Sequence, residues 1–311
     1  MPCYLPMPAS YKDEVNPKNG KRGITFIARR RLDEADLLLP CGNCIGCRLE
    51  RSRQWALRIS HEASLHPQNS FLTLTYNEES LPENGSLNKE DFKNFMKRLR
   101  KSIEPKKIKF YQCGEYGEKF SRPHHHCCLF NHDFPDKKLF KTKNGYKTYT
   151  SQILDDLWKH GECKIGTLTF ESAAYVSRYI TKKVNGPLRD EHYTQINSET
   201  GEIFFMQPEY ATMSRGGKKK GSHGIAAEWF KKYNKDCYPK DFVTVRGKKM
   251  KPAKYYDRLL EALDPALYDD IKAQREELTN QEDNTPWRLK DRLKVKEAQI
   301  QNLTRHMETQ T

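Results

Sequence analysis

The spacing of apolar side chains changes several times along the chain, and each change marks an element. Phe92, Phe95, Met96 and Leu99 recur at i, i+3, i+4 and i+7, the stripe of an amphipathic helix. Asn88 is placed to cap that helix, with Asp91 at its third position. Upstream, Leu49, Ala56, Ile59 and Ala63 fall near helical spacing over about 47–64, with Arg48, Arg51, Arg53 and Arg58 on the remaining positions, which predicts a basic helix. Residues 71–76 (Phe-Leu-Thr-Leu-Thr-Tyr) are short, β-branched and aromatic and read as a strand. Two further strands are expected at 107–115 and 123–131, joined by the turn-prone stretch 116–122. Ser151 is positioned to cap a helix running to 160. A strand over about 162–170 then leads into a helix over 172–184, ended by Asn185-Gly186-Pro187. Before these lies a turn-rich arm, residues 1–40, with a strand at 23–28. After them, 203–206 reads as a strand and the chain from Pro252 as polar helix. The order β, α, β, β, α, β, α, with an adjacent hairpin, predicts an α+β fold: an antiparallel sheet with helices packed on one face.

Composition adjusts this picture in two ways. Apolar residues make up 36% of the 311 positions, yet 11% are aromatic, so a core of modest size carrying polar extensions is expected. The division reads as an N-terminal arm with a basic helix (1–66), a core (67–235) and a polar helical extension (236–311). Charge is the second adjustment. Lys and Arg number 55 against 41 Asp and Glu, a formal +14, with a pI near 9.2. Residues 252–311 hold ten Lys+Arg against twelve Asp+Glu, a net of −2, so residues 1–251 carry the whole excess, +16. A polyanionic partner follows, most simply nucleic acid. No apolar run approaches the roughly 18 residues of a membrane span, and the first residues lack the pattern of a secretion signal. Nine cysteines, an odd number with several too close to bridge, fit a reducing cytoplasm.

Three clusters carry candidate chemistry. His124, His125 and His126 lie on a predicted strand, so His124 and His126 share one face and His125 points away. A hairpin closing around 119–120 pairs residues whose numbers have one total, 115 with 124 and 113 with 126. Glu115 then joins the two imidazoles, giving two nitrogens and a carboxylate with open positions, a catalytic rather than a closed metal layout. The competing reading is an incidental histidine run. Tyr175 and Tyr179, four apart on a helix, share a face, with Lys182 and Lys183 one turn on. A phenol with pKa near about 10 becomes a usable nucleophile beside ammonium groups; alternatively both tyrosines simply cover core. Cys41, Cys44 and Cys47 form C-x₂-C-x₂-C, and Cys3 can supply a fourth thiolate. Structural Zn²⁺, an iron–sulfur cluster and free buried thiols all remain open on that spacing.

Taken in order, Cys41-Gly42-x-Cys44-x-x-Cys47-Arg48, Phe71-Leu72-Thr73-Leu74-Thr75-Tyr76, Gly114-Glu115-Tyr116-Gly117, Arg122-Pro123-His124-x-His126 and Tyr175-Val176-Ser177-Arg178-Tyr179-Ile180-Thr181-Lys182-Lys183 resemble the HUH endonucleases. These enzymes initiate rolling-circle replication, and the likeness is greatest to the replication initiation proteins of microviruses, over roughly residues 1–235. The resemblance implies a sheet of about five antiparallel strands and Mg²⁺ or Mn²⁺ held by His124 and His126. It also implies a helix presenting Tyr175 and Tyr179 as alternating nucleophiles. Two departures stand out. The position between the histidines, usually hydrophobic or aromatic, is His125, and Ser214-Arg215-Gly216-Gly217 with a lysine run stands where the family carries a Ser-Arg-Arg-Pro-Gly-like segment.

Three functions are compatible with these residues. The first is a nickase and ligase acting on single-stranded viral origin DNA in the cytoplasm of an infected bacterium, working with a host helicase and polymerase. Its DNA contacts are expected from Arg48, Arg51, Arg53, Arg58, Arg122, Arg178, Arg215, Lys218, Lys219 and Lys220, with no membrane partner. The second is a zinc-stabilised nucleic-acid-binding protein without catalysis. The third is a metal-dependent nuclease that uses activated water.

Overall fold

The computed structural model describes residues 3–17, 20–26, 35–117, 120–179, 183–184, 186, 188–197, 200–216, 223–280 and 282–302. The chain divides into two compact units, Met1–Arg51 with Ala273–Gln310, and Ser52–Lys272. In the first, strand β1 (Met7–Val15) pairs antiparallel with β2 (Arg22–Thr25) and with β3 (Leu37–Leu39). The boundary falls inside helix α1 (Ile45–Ala63).

The second unit is built on one sheet. In chain order it runs β4 (Asn69–Leu74), α2 (Lys89–Ser102), β5 (Lys109–Tyr116), β6 (Pro123–Phe130), β7 (Lys138–Lys143), β8 (Tyr146–Thr150), α3 (Gln152–Trp158), β9 (Cys163–Gly166) and α4 (Phe170–Tyr179). Then follow α5 (Arg189–Tyr193), the hairpin β10 (Thr194–Ile196) and β11 (Ile203–Phe205), β12 (Tyr210–Met213), α6 (Ala227–Cys237), the hairpin β13 (Val243–Val245) and β14 (Lys248–Met250), and α7 (Lys254–Leu263). Two further helices, α8 (Pro265–Glu277) and α9 (Pro286–Gln301), complete the described chain, each opening on a proline at its first turn.

Seven strands form the main sheet in the order β12-β5-β6-β4-β9-β8-β7, every neighbouring pair antiparallel. The α+β class therefore stands, with a larger sheet than the five strands expected. The extra pair is the β7–β8 hairpin, whose β7 is exposed at all six positions and so shows no apolar alternation to read. Its turn residues Asn144 and Gly145 both have positive φ, 52° and 80°, as a two-residue hairpin loop requires.

Helices cover both faces of the sheet, not one. All eight residues of β6 are buried, which an antiparallel strand with a solvated face cannot be. On one face Leu72, Leu74, Cys127, Leu129 and Ile165 pack against Phe92, Phe95, Met96 and Leu99 of α2 and Leu154 and Trp158 of α3. On the other, α4 lies over β5 and β6, and Trp55 of α1 sets its ring 4.7 Å from that of Tyr111. The expected caps hold: Asn88 accepts from the Glu90 amide and Ser151 from that of Leu154. Asp91 does not close a capping box; it accepts instead from the Tyr76 hydroxyl. The tyrosine helix is described as far as Tyr179, residues 180–182 lying outside the described residues; Val184, expected inside it, is not helical, and its amide donates to the Tyr193 hydroxyl.

Buried polar groups tie the rest of α1 to the sheet unit. Glu62, fully buried, accepts from Lys109 Nζ at 2.9 Å and from the Ala226 amide at 2.6 Å. His61 stacks on Trp229 with centroids 3.5 Å apart and bonds the Tyr256 hydroxyl at 2.7 Å. Burial pushes its pKa down to about 3, while the unfolded value is near about 6.5. As pH falls below about 6.5 the unfolded chain takes up a proton that folded His61 refuses, so stability drops towards pH 3, by up to about 1.4 kcal/mol per pH unit. His61→Phe is expected to flatten the pH dependence of the urea midpoint between pH 6 and 4; an unchanged slope would contradict this.

Candidate functional site

The β5–β6 hairpin sets the site. Its pairing runs Tyr111↔Cys128, Cys113↔His126 and Glu115↔His124, the register expected from the sequence. The turn is closed by the Gly117 amide donating to the Arg122 carbonyl at 2.9 Å and the Ser121 amide to that of Gly117 at 3.0 Å. Because side chains alternate, Glu115, His124 and His126 emerge on the α4 face. Glu115 Oε1 lies 2.7 Å from His124 Nε2 and 2.9 Å from His126 Nε2, and all three residues are buried.

The outer ring nitrogens fix the orientation of both imidazoles. His124 Nδ1 is 3.1 Å from the Arg122 carbonyl oxygen. A carbonyl can only accept, so Nδ1 carries the proton and Nε2 of a neutral ring offers a lone pair. His126 Nδ1 lies 3.1 Å from Thr73 Oγ1. A bare Nε2 facing a carboxylate oxygen is two electron pairs in opposition, relieved only by a cation: a proton or a metal. Burial pushes the Glu115 carboxyl up, yet the hydrogen bonds from His124 and His126 outweigh it and hold it below its ordinary range. Its Oε2 is buried without a hydrogen-bond partner. Two imidazoles and one carboxylate, whose second oxygen is orphaned, with one ligand atom of each residue within 4.8 Å of the others, fit a divalent cation.

Tyr175 comes from above. Buried at 5% exposure, it sets its ring edge-on to His126 with centroids 5.3 Å apart and 6.4 Å from Phe71. The side chain of Tyr179 and all of Lys182 lie outside the described residues; Lys183 follows the helix, half-buried.

His125 points the other way, into the α2 face, among the rings of Tyr76, Phe92, Trp158 and Tyr210. It occupies an aromatic slot, which explains how a third histidine replaces the usual hydrophobic residue. Tyr76 Oη lies 3.1 Å from its Nε2, and burial lowers its pKa to about 3. The strand opposite must be glycine: a Cβ on Gly114 would meet Tyr210 Cε1 at 2.7 Å and His125 Nδ1 at 3.1 Å.

A second cluster lies in the other unit. The sulfurs of Cys3, Cys41, Cys44 and Cys47 also fall within 4.8 Å of one another, and none is in a disulfide. Backbone amides point at them: Cys41 N to Cys3 Sγ at 3.3 Å, Cys44 N to Cys41 Sγ at 3.3 Å and Tyr4 N to Cys44 Sγ at 3.4 Å. Burial raises the Cys44 thiol, but the amides of Tyr4 and Cys47 bring it to about 7, whereas burial leaves Cys3 and Cys47 raised.

The basic residues expected to meet DNA fall into different settings. Arg58 is held internally, stacked between Trp55 and Tyr255 at 4.1 and 3.8 Å and donating to the Ile225 carbonyl. Arg53 donates to the Lys251 carbonyl at 2.7 Å, and Arg122 pairs with Glu78 and donates to the Tyr76 carbonyl. Arg48 is half-buried, Arg51, Arg178 and Arg215 are exposed, and Lys218, Lys219 and Lys220 lie outside the described residues. Thr73 is a site residue the sequence reading passed over, although alternation from Phe71 puts it on the His126 face.

Metal titration checks this geometry. Mn²⁺ binding followed by calorimetry is expected to collapse in His124→Ala, His126→Ala and Glu115→Gln and to survive in His125→Phe. Thr73→Val should weaken it by about 10-fold, the lower range for an outer partner. Retention of binding in His124→Ala, or its loss in His125→Phe, would contradict the assignment.

Known proteins give the context. The family described as replication-associated protein ORF2/G2P matches residues 69–184. The chain is 32% identical over 266 residues to replication-associated protein VP4 of Bdellovibrio phage phiMH2K, covering 82% of this chain and 76% of that one. It is 35% identical over 255 residues to replication-associated protein ORF2 of Spiroplasma virus 4, covering 77% and 73%. With replication-associated protein ORF4 of Chlamydia phage 1 it shares 37% identity over 153 residues, covering 47% and 38%. No solved structure matches.

Proposed function

Since the chain belongs to the phage replication-associated proteins, we propose that it starts rolling-circle replication by nicking single-stranded origin DNA on an HUH-type sheet. One observation carries the reading: a tyrosine ring stands 5.3 Å from the ring of His126, which belongs to a buried His-His-Glu group. A bound Mg²⁺ or Mn²⁺ would polarise the scissile phosphate. Glu115, His124 and His126 would hold that cation, while Thr73 and the Arg122 carbonyl lie against the outer nitrogens of the two imidazoles.

The tyrosine oxygen, from Tyr175 or Tyr179, forms a bond to phosphorus while the bond from phosphorus to the 3′ oxygen breaks. The phenolic proton passes to solvent before the phenolate attacks, and the departing 3′ oxygen takes one up from solvent. The products are a 5′-phosphotyrosine and a free 3′ hydroxyl able to prime a polymerase. One ester replaces another, so the reverse attack rejoins the strand without ATP. Lys182 and Lys183 are assigned to lower the phenol pKa and steady the developing charge. The chain carries no phosphate-binding Gly-rich motor motif, so unwinding and synthesis fall to a host helicase and polymerase in the cytoplasm of the infected cell. Among the described residues no helix is long and apolar enough to cross a membrane.

Incubation with a 3′-labelled single-stranded origin oligonucleotide and Mn²⁺, followed by a denaturing gel, separates the possibilities. The expected result is a protein band carrying the label, lost with cleavage in Tyr175→Phe/Tyr179→Phe and in His124→Ala. Cleavage that survives the double tyrosine change would identify a hydrolytic nuclease. Binding with neither cleavage nor adduct would identify a non-catalytic binder.

The four thiols are assigned to structural Zn²⁺. Among the described residues before Ser52 the buried apolar side chains are Cys3, Ala9 and Cys44, too few for a core of their own, and a tetrathiolate metal supplies folding energy where a core is missing. Cys44 and Cys47 flank the start of α1, whose amide dipoles favour thiolate. Elemental analysis should find about one zinc per chain beyond any catalytic cation. Cys44→Ser should remove it and open residues 3–51 to protease while 52–272 stays resistant. Iron in place of zinc, or an unchanged protease pattern without metal, would overturn the assignment.

A further inference from the structure

The sheet face that carries the metal-ligating group does not stop at it. Following directly paired residues outward from β6, His126 faces Thr73 and Thr73 faces Lys164. Lys164 is in register with Thr150, one step from the Tyr149↔Ile165 pair, and Thr150 faces Lys138. One cross-strand row thus runs from His126 to the outermost strand over four inter-strand spacings, about 19 Å at ~4.8 Å each. The next rows end on Lys141, opposite Thr148, and on Lys143, opposite Tyr146, again on this face.

A bulge completes the surface. The β7–β8 register shifts between Leu139 and Lys141, and the additional residue, Phe140, is re-aimed so that its ring lies under Lys164 Nζ at 4.3 Å. Phe140 is 56% exposed and Tyr146 39%. Lys164 also pairs with Glu162. Residues 138–150 contain four lysines, Lys138, Lys141, Lys143 and Lys147, and no carboxylate. Exposed rings between lysines on one sheet face are what unpaired bases and their phosphates require, since a ring accepts the face of any base.

We propose that β7, β8 and Lys164 form a landing track for single-stranded DNA, continuous with the cleavage centre. The proposal rests on the reading that this protein acts on single strands. The row of about 19 Å between His126 and Lys138 is long enough to seat several nucleotides of an extended strand.

The test is fluorescence anisotropy of the full chain with a fluorescein-labelled 15-nucleotide single strand, and with the duplex of the same sequence, across a salt series. Phe140→Ala/Tyr146→Ala should weaken single-strand binding by about 10-fold or more and duplex binding by much less. Lys138→Ala/Lys141→Ala should reduce the slope of log K against log salt by about 0.7 per lysine. Both double variants change exposed positions, and Mn²⁺ affinity equal to wild type will show that the metal group is intact. Unchanged single-strand affinity and slope would overturn the track, as would equal losses for duplex and single strand, which mark an unspecific basic patch. If wild type binds no single strand, the nicking reading falls with it; if adducts still form while the variants bind normally, only the track falls.

Discussion

Everything chemical in this molecule depends on the register of one hairpin. Glu115 must stand opposite His124 and Cys113 opposite His126, because a slip of a single residue would send both imidazoles to the opposite face. Several contacts resist such a slip. The 117–122 turn closes with two backbone hydrogen bonds, His124 Nδ1 is held by the carbonyl at the end of that turn, and His125 is locked among four rings on the far side. A charged His125 would not fit there, which is why its pKa lies at about 3. The third histidine of the run is therefore an anchor for the other two.

Burial on both faces turns this register into a site. A polar triad under α4 has little water to satisfy it, so each ring nitrogen and carboxylate oxygen needs a partner. Thr73 and the Arg122 carbonyl supply the outer ones, and Glu115 Oε1 faces both inner ones. Neutral His126 can meet both partners, because the Thr73 hydroxyl can donate to Nδ1 while Nε2–H donates to Glu115. Neutral His124 cannot, since its two nitrogens face a carbonyl and a carboxylate; a proton or a metal on His124 satisfies the arrangement. The same helix that seals the group brings the Tyr175 ring against His126, so burial of the group and the approach of that ring come from one packing contact.

Much of this was legible in the sequence because it depends on local period. Alternation along 123–130 and the constant total of paired residue numbers are arithmetic once a hairpin is assumed. The α2 stripe and the Asn88 and Ser151 caps are equally local. The β7–β8 hairpin was missed although Asn144-Gly145 is a strong turn signal, because β7 is exposed at every position and lysine-rich and neither strand shows apolar alternation. β12 has only four residues and gains its stability from β5. The roles of Thr73, of Arg58 between two rings and of Glu62 beneath Lys109 and Ala226 depend on tertiary neighbours more than a hundred residues away in some cases, and no spacing rule reports them.

Crystals grown with Mn²⁺ and measured at the manganese absorption edge test the central claim most directly. One anomalous peak is predicted among Glu115, His124 Nε2 and His126 Nε2, beside the Tyr175 ring and away from His125. Manganese bound elsewhere with none at this position, or coordinated by His125, would contradict the register-built centre on which the rest of the account stands.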